Sequence, residues 1–205
     1  RAGVTENDVT AAMMAAAISA GSEAMAMEPL VSSGPRSGVP HATWRRRRIE
    51  PGDGVFLELA ASHDRYHAAL MRSVWIGPPP PLARSMMDTA ERALDAALAA
   101  MEPGRPCADP HLAAQRVIDA AGHTEAFRKR IGYSMGAAFA PDWGEGSILS
   151  LFTGVDRLLE PGMVFHLPAT LRSYGEFTVG ASETVIVTAT GIEVLSDLPR
   201  QMTLR

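Results

Sequence analysis

The sequence predicts an α+β protein made of two similar halves, each a helix ahead of an antiparallel sheet, related by a pseudo-twofold and packed around a central cleft. An internal repeat carries the prediction. Arg47-x-x-Glu50-Pro51-Gly52 returns 110 positions later as Arg157-x-x-Glu160-Pro161-Gly162, and a strand-like run follows each copy. The preceding helix repeats as well: Gly3, Asp8, Ala12, Ala20 and Gly21 match Gly104, Asp109, Ala113, Ala121 and Gly122 at an offset of 101. Self-similarity on this scale marks duplicated supersecondary units. In this register Leu57 falls on Leu167 and Glu58 on Pro168.

The elements follow in chain order. Thr5-x-x-Asp8 has the form of a capping box with Asp in place of Glu, opening an Ala/Met-rich helix that stops near Gly21. Residues 28–33 predict a short buried strand, and the Gly/Pro/Ser loop behind it delivers Pro40-His41-Ala42-Thr43-Trp44. Two β-rich runs, near 54–60 and 66–76, flank the polar bend Ser62-His63-Asp64 and predict a hairpin. Pro78 to Pro81 form a rigid break, after which Leu82 to Met101 read as an amphipathic helix. Asp109-Pro110, cap then first-turn proline, starts another helix that ends near Gly122. From Arg130 the pattern is β again: Ile131–Ser134, a glycine-rich loop over 136–146, then runs at 163–167, 183–188 and 192–195.

Composition narrows the function. A chain of 205 residues, 46% of them hydrophobic, buries a full core as one domain over residues 1–205. With 19 basic against 23 acidic residues, no net positive field draws nucleic acid or a membrane surface. The run Arg45 to Arg48 reads as a solvated loop. The lone Cys107 excludes an internal disulfide and agrees with a cytoplasmic location. The partner expected is a small-molecule substrate.

Six places hold residues suited to chemistry. Glu58 lies inside the apolar run Val55-Phe56-Leu57-Glu58-Leu59, where a carboxylate is either turned to water on an edge strand or desolvated with a raised pKa. The repeat favours the second reading, with Glu58 facing the cleft. His41, in a loop beside Trp44, suits proton transfer near neutral pH, although an ordinary surface histidine fits the same pattern. Glu183 is a second carboxylate embedded in a strand, and His166 lies in another. Tyr133 sits among small residues in Gly132-Tyr-Ser-Met-Gly136. Asp142, Trp143 and Glu145 combine an indole with two acids, which suits a compact organic cation. A turn with a buried indole explains them equally.

At these residues the chain resembles the pita-bread family of methionine aminopeptidase, aminopeptidase P and creatinase, over nearly its whole length. The resemblance implies the pita-bread fold, a separate N-terminal domain ahead of this C-terminal catalytic one, and a homodimer. The family's peptidases hold two metal ions with two Asp, one His and two Glu. Those positions fall here on Glu58, Ala69, Tyr133, Pro168 and Glu183, too few donors for a dinuclear site. No metal and no cofactor is therefore expected. The metal-free creatinase branch matches at His41 and at Tyr66-His-Ala-Ala-Leu-Met-Arg72, but departs at Met71, where creatinase carries a glutamate for its guanidinium substrate.

Ser33-Gly-Pro-Arg-Ser-Gly-Val-Pro-His41, Phe56-Leu-Glu58, Gly132-Tyr-Ser-Met-Gly136, Pro141-Asp-Trp-Gly-Glu145, Gly162-Met-Val-Phe-His166 and Ser182-Glu183 resemble the ectoine hydrolase branch most. That likeness implies metal-independent hydrolysis of a C–N bond in a small cyclic amidine, ectoine or 5-hydroxyectoine, opened to N-acetyl-diaminobutyrate. His41, Glu58 and Glu183 would be catalytic. Tyr133, Asp142, Trp143, Glu145 and His166 would bind and orient substrate. Two alternatives use the same residues: a creatinase-like or Xaa-Pro peptidase-like hydrolase of another small substrate, and a non-catalytic pita-bread binding module.

Overall fold

Thr5 starts the first helix as its spacing requires. Its hydroxyl accepts the Asp8 backbone N–H, and the Asp8 carboxylate accepts the Thr5 N–H in return, a completed capping box. A computed structural model describes residues 1–205, with three α-helices and nine strands. The helices are α1 (Glu6–Ser19), α2 (Pro81–Ala99) and α3 (Ala108–Ala120). The longer strands are β1 (Leu30–Ser33), β2 (Gly54–His63), β3 (Tyr66–Trp75), β6 (Val164–Ser173) and β7 (Phe177–Val187). Short strands β4 (Gly132–Ser134), β5 (Ser150–Leu151), β8 (Ile192–Val194) and β9 (Thr203–Leu204) complete two sheets. Their orders are β1-β2-β3-β9 and β5-β4-β6-β7-β8, with β3 and β9 the only parallel pair.

The repeat is visible in the strands themselves. β2 and β6 begin and end at matching positions of the repeat, which makes Glu58 and Pro168 equivalent. The hairpins then diverge by one residue. β2 and β3 are joined by Asp64-Arg65, both at positive φ (50° and 69°), the conformation of a tight primed turn. β6 and β7 are joined by three residues, with Gly175 at φ 75°. Glu58 therefore pairs with Met71, and Pro168 with Ser182. The bend falls at Asp64-Arg65 instead of over the predicted Ser62-His63-Asp64, because β2 runs on to His63, past its apolar stretch.

Alternation along each strand then separates two faces. Phe165, Leu167, Ala169 and Leu171 of β6 point to one side, with Val179, Ala181 and Val185 of β7. The helices cover that side: Ala83, Met86, Met87, Ala90, Leu94, Ala97 and Leu98 form one buried stripe of α2. The other face, carrying Pro168, Thr170 and Arg172, opens toward β2. α3 begins at Ala108, not at the predicted cap Asp109, whose carboxylate instead accepts from Arg105 Nε at 2.8 Å. Pro168 escapes the usual exclusion of proline from central strands because β4 has already ended beside it. Its carbonyl accepts from Lys129 Nζ at 2.7 Å.

The two sheets meet where β3 passes β7, and side-chain hydroxyls replace a backbone ladder there. Thr184 Oγ1 accepts the Ala69 N–H at 3.1 Å and donates to its carbonyl at 2.8 Å. Ser73 Oγ does the same for Gly180, at 2.9 and 2.8 Å. Ser182 Oγ accepts the Met71 N–H at 2.7 Å. Position 180 must be glycine, since a Cβ there would lie 2.2 Å from the Ala169 oxygen at φ 144°. Beside this seam Glu183, fully buried, accepts on Oε1 from Arg72 Nη2 at 3.0 Å and Arg200 Nε at 2.9 Å.

The seam generates a stability prediction. Thr184→Val keeps the shape but orphans both polar groups of buried Ala69, which costs about 2 kcal/mol in urea unfolding. A loss within about 0.3 kcal/mol would mean that the hydroxyl does not join the sheets.

Candidate functional site

The concave faces of both sheets enclose a cavity of about 630 Å³, within the range of small-ligand sites. β1 and β2 supply Leu30, Ser32, Phe56 and Glu58, β3 supplies Met71, and β4 supplies Tyr133. β6 contributes Pro168, Thr170 and Arg172 from one face, and residues 128–130 enter from the segment before β4. Val39 to Ala42 form a rim that carries His41, exposed and in a left-handed conformation (φ 52°).

Glu58 is 3% exposed and makes no hydrogen bond or ion pair within the chain, yet it lines the cavity. Burial raises its pKa to about 8, partly opposed by Lys129 and Arg172 and assisted by Asp142. Lys129 shows the complementary effect: burial and the nearby Arg172 lower its pKa to about 7, while Glu58 pulls the other way. Its ammonium donates to the Pro168 carbonyl and to Thr170 Oγ1, both at 2.7 Å.

Behind Tyr133 runs a polar chain whose proton order follows from counting donors. Ser182 Oγ accepts from Met71 and meets one other polar atom, His166 Nε2 at 2.7 Å, which is therefore the sole acceptor for its buried proton. Nδ1 then carries the N–H accepted by the Tyr133 oxygen at 2.9 Å, beside the Trp143 indole N–H at 3.1 Å. The phenolic proton is left over for the cavity. Burial lowers the His166 pKa to about 3, which keeps the ring neutral. Burial likewise raises the Tyr133 pKa and keeps its hydroxyl protonated.

The structure thus brings His41, Glu58 and Tyr133 to one cavity and places the other sequence candidates elsewhere. Glu183 does not share the cleft with Glu58. Pro168 pairs with Ser182, so Glu183 points to the helix side, into Arg72 and Arg200. His166 and Trp143 are buried supports of Tyr133, and the indole presents no face to the cavity. Asp142 caps its own turn, accepting the Gly144 N–H at 3.0 Å. Glu145 lies against Gly136 and, like Asp142, does not line the cavity. Sequence reasoning missed Lys129, Arg172 and Ser182. Two-residue periodicity from Pro168 through Thr170 points to Arg172, and the same periodicity on β7 selects Ser182 over Glu183.

The pattern of metallopeptidase family M24 matches residues 1–189. The chain belongs to family M24. It is 32% identical to ectoine hydrolase of Halomonas elongata over 186 residues, covering 89% of this chain and 45% of that protein. It is 36% identical to an uncharacterised hydrolase/peptidase of Sinorhizobium fredii over 208 residues, covering 98% and 51%. Its pita-bread fold matches X-Pro aminopeptidase from Thermotoga maritima at a TM-score of 0.89 and 25% identity, over 100% of this chain and 56% of that one. Dipeptidase PepE from Mycobacterium ulcerans gives 0.89 and 26%, over 100% and 53%. The chain spans about half the length of the curated relatives it matches. No helix is long and apolar enough to cross a membrane.

The M24 metal centre does not fit the residues present. No three His, Cys, Asp or Glu side chains gather here. Both ring nitrogens of His166 are engaged by Ser182 and Tyr133, Glu183 is held by two arginines on the far face, and the Lys129 ammonium occupies the carbonyl of Pro168. A single carboxyl, Glu58, remains to face the cavity.

The raised pKa of Glu58 sets a pH dependence. The folded chain keeps this proton from about pH 4.5, the free value, up to about 8, so stability from this group is full below 4.5 and is lost as pH rises through 8. Lys129 acts in the opposite sense, its lowered pKa restoring stability as pH rises above about 7, so variant and parent are compared at matched pH. Glu58→Gln should melt with the parent at pH 5 and at least about 5 °C above it at pH 9. Equal melting at both would mean that Glu58 ionises like a solvated carboxyl.

Proposed function

We propose that this chain is the catalytic half of a metal-independent hydrolase that opens the C–N bond of a small cyclic amidine, ectoine or 5-hydroxyectoine, to N-acetyl-diaminobutyrate. The observation that carries the reading is Glu58, a carboxyl 3% exposed, without a partner in the chain and facing a cavity of ligand size. Such a group is costly unless a cation meets it. An amidinium supplies that cation with an electrophilic carbon between its two nitrogens.

In this reading the Glu58 carboxylate accepts a ring N–H of the amidinium and holds the carbon in place. Water adds to that carbon, forming the C–O bond, and His41 takes the proton that water releases. Collapse breaks one ring C–N bond as His41 returns the proton to the departing nitrogen. The hydroxyl proton released as the C=O forms goes to that nitrogen, which leaves as an ammonium, and the other nitrogen keeps the acetyl group as an amide. The Tyr133 proton, freed by the Ser182–His166 chain, is placed to donate to the oxygen as it gains charge. Glu183 has no part in the chemistry and holds Arg72 and Arg200 instead.

Ring opening is followed directly by NMR. Glu58→Gln should lower kcat on the order of 10²-fold or more. His41→Ala should abolish turnover while leaving the substrate Kd within about threefold, since its task is proton transfer. Turnover untouched by both changes would place the chemistry elsewhere, and no turnover in the parent with altered affinity in both variants would identify a binding module. Elemental analysis should find far less than one transition metal per chain, with activity unchanged by chelators; stoichiometric metal and chelator-sensitive activity would overturn the metal-free assignment.

A further inference from the structure

The cavity holds more positive charge than any resident group balances. Arg128, Lys129, Arg130 and Arg172 line it, against the single carboxyl of Glu58. Arg128 is paired outward with Glu125. The other three have no carboxylate partner. Lys129 spends two of its three N–H donors on Pro168 and Thr170. Arg172, partly buried, makes one hydrogen bond, from Nε to Thr178 Oγ1 at 2.9 Å, which leaves both Nη groups uncommitted. Arg130 lies over the Tyr133 ring, 5.0 Å from its centroid, and makes no ion pair. Lys129, through Thr170, and Arg172 occupy adjoining same-face positions of β6, so their free donors converge on one stretch of wall.

We infer that Arg172 and Lys129, with Arg130 at the edge, form an anion subsite for a carboxylate carried by the same small molecule whose cationic end meets Glu58. The inference rests on the proposed function for the cationic end alone; the anion subsite stands on these three unpaired cations. A planar carboxylate matches the Nη pair of Arg172 with two parallel hydrogen bonds, and the third Lys129 donor adds a point charge. A desolvated cation pair without a counter-charge is unfavourable, and a bound carboxylate removes that cost. A zwitterion is then recognised at both ends. A purely cationic ligand meets the guanidinium groups of Arg130 and Arg172 with nothing to offer them, which selects against simple amidines and guanidines.

Calorimetry with probes that lack an amidine separates the two ideas. Cyclohexanecarboxylate should bind the parent protein at least tenfold more tightly than cyclohexanecarboxamide. Arg172→Gln should erase that preference, Arg172→Lys should retain part of it, and Lys129→Gln should reduce it, each variant first shown to keep the parent's near-UV dichroism. Equal binding of acid and amide by the parent overturns the subsite, and so does tighter binding of inorganic phosphate than of the carboxylate. A carboxylate preference without any ectoine turnover keeps the subsite and removes the amidine reading. Ectoine turnover with KM unchanged in Arg172→Gln removes the subsite and keeps the amidine reading.

Discussion

The structure depends on the hydroxyl-stitched seam between β3 and β7. Two duplicated sheets, each with its own hairpin, leave polar groups of their inner strands without a partner in their own sheet, and the seam satisfies them. Ser73, Ser182 and Thr184 do this with side-chain oxygens, which allows the strands to approach without sharing a ladder. Wherever the seam sits, the cavity follows, because the same strands carry the residues that line it or hold those that do. Ser182 makes the link explicit: one oxygen takes a seam N–H and also sets the tautomer of His166, and through it the proton of Tyr133.

Burial governs the electrostatics on both sides of the seam, with opposite outcomes. On the helix side Glu183 is enclosed with two guanidinium groups and serves structure, since losing one partner of a buried pair leaves a stranded charge. On the cavity side Glu58 is enclosed without a partner, and Lys129 and Arg172 lie near enough to influence it but not to neutralise it. Two glutamates in similar-looking strands are thus divided into a structural and an available one by the direction each side chain takes.

Much of the fold could be read from the chain. The Thr5–Asp8 box, the buried stripe of α2 and the repeated Glu-Pro-Gly turns are local signals, and local physics decided them. Glu58 was legible for a similar reason, as a carboxyl in an apolar run. Glu183 was misread because its face depends on the register with Pro168, and register depends on the extra residue in the β6–β7 turn. Lys129 was hidden within Arg128-Lys129-Arg130, a sequence indistinguishable from a solvated basic patch until β6 is seen to accept its ammonium. The end of β6 and the start of β7 were missed because Pro168 and Gly180 interrupt the β pattern. A strand that has run past its neighbour and a seam that excludes a Cβ resolve those interruptions.

The two halves carry unlike side chains at matched positions of their first long strands. A chamber built from duplicated halves would accept a small guest equally well either way round, and half of all encounters would place its reactive end against the wrong wall. Here the first half presents an acid at Glu58, and the second presents proline at the equivalent place and, where the first half has Ser62, the cation Arg172. The near-symmetric chamber thereby acquires a polar axis that the backbone alone lacks. A guest with unlike charges at its two ends has only one way to lie along it, so orientation is decided on entry by the container.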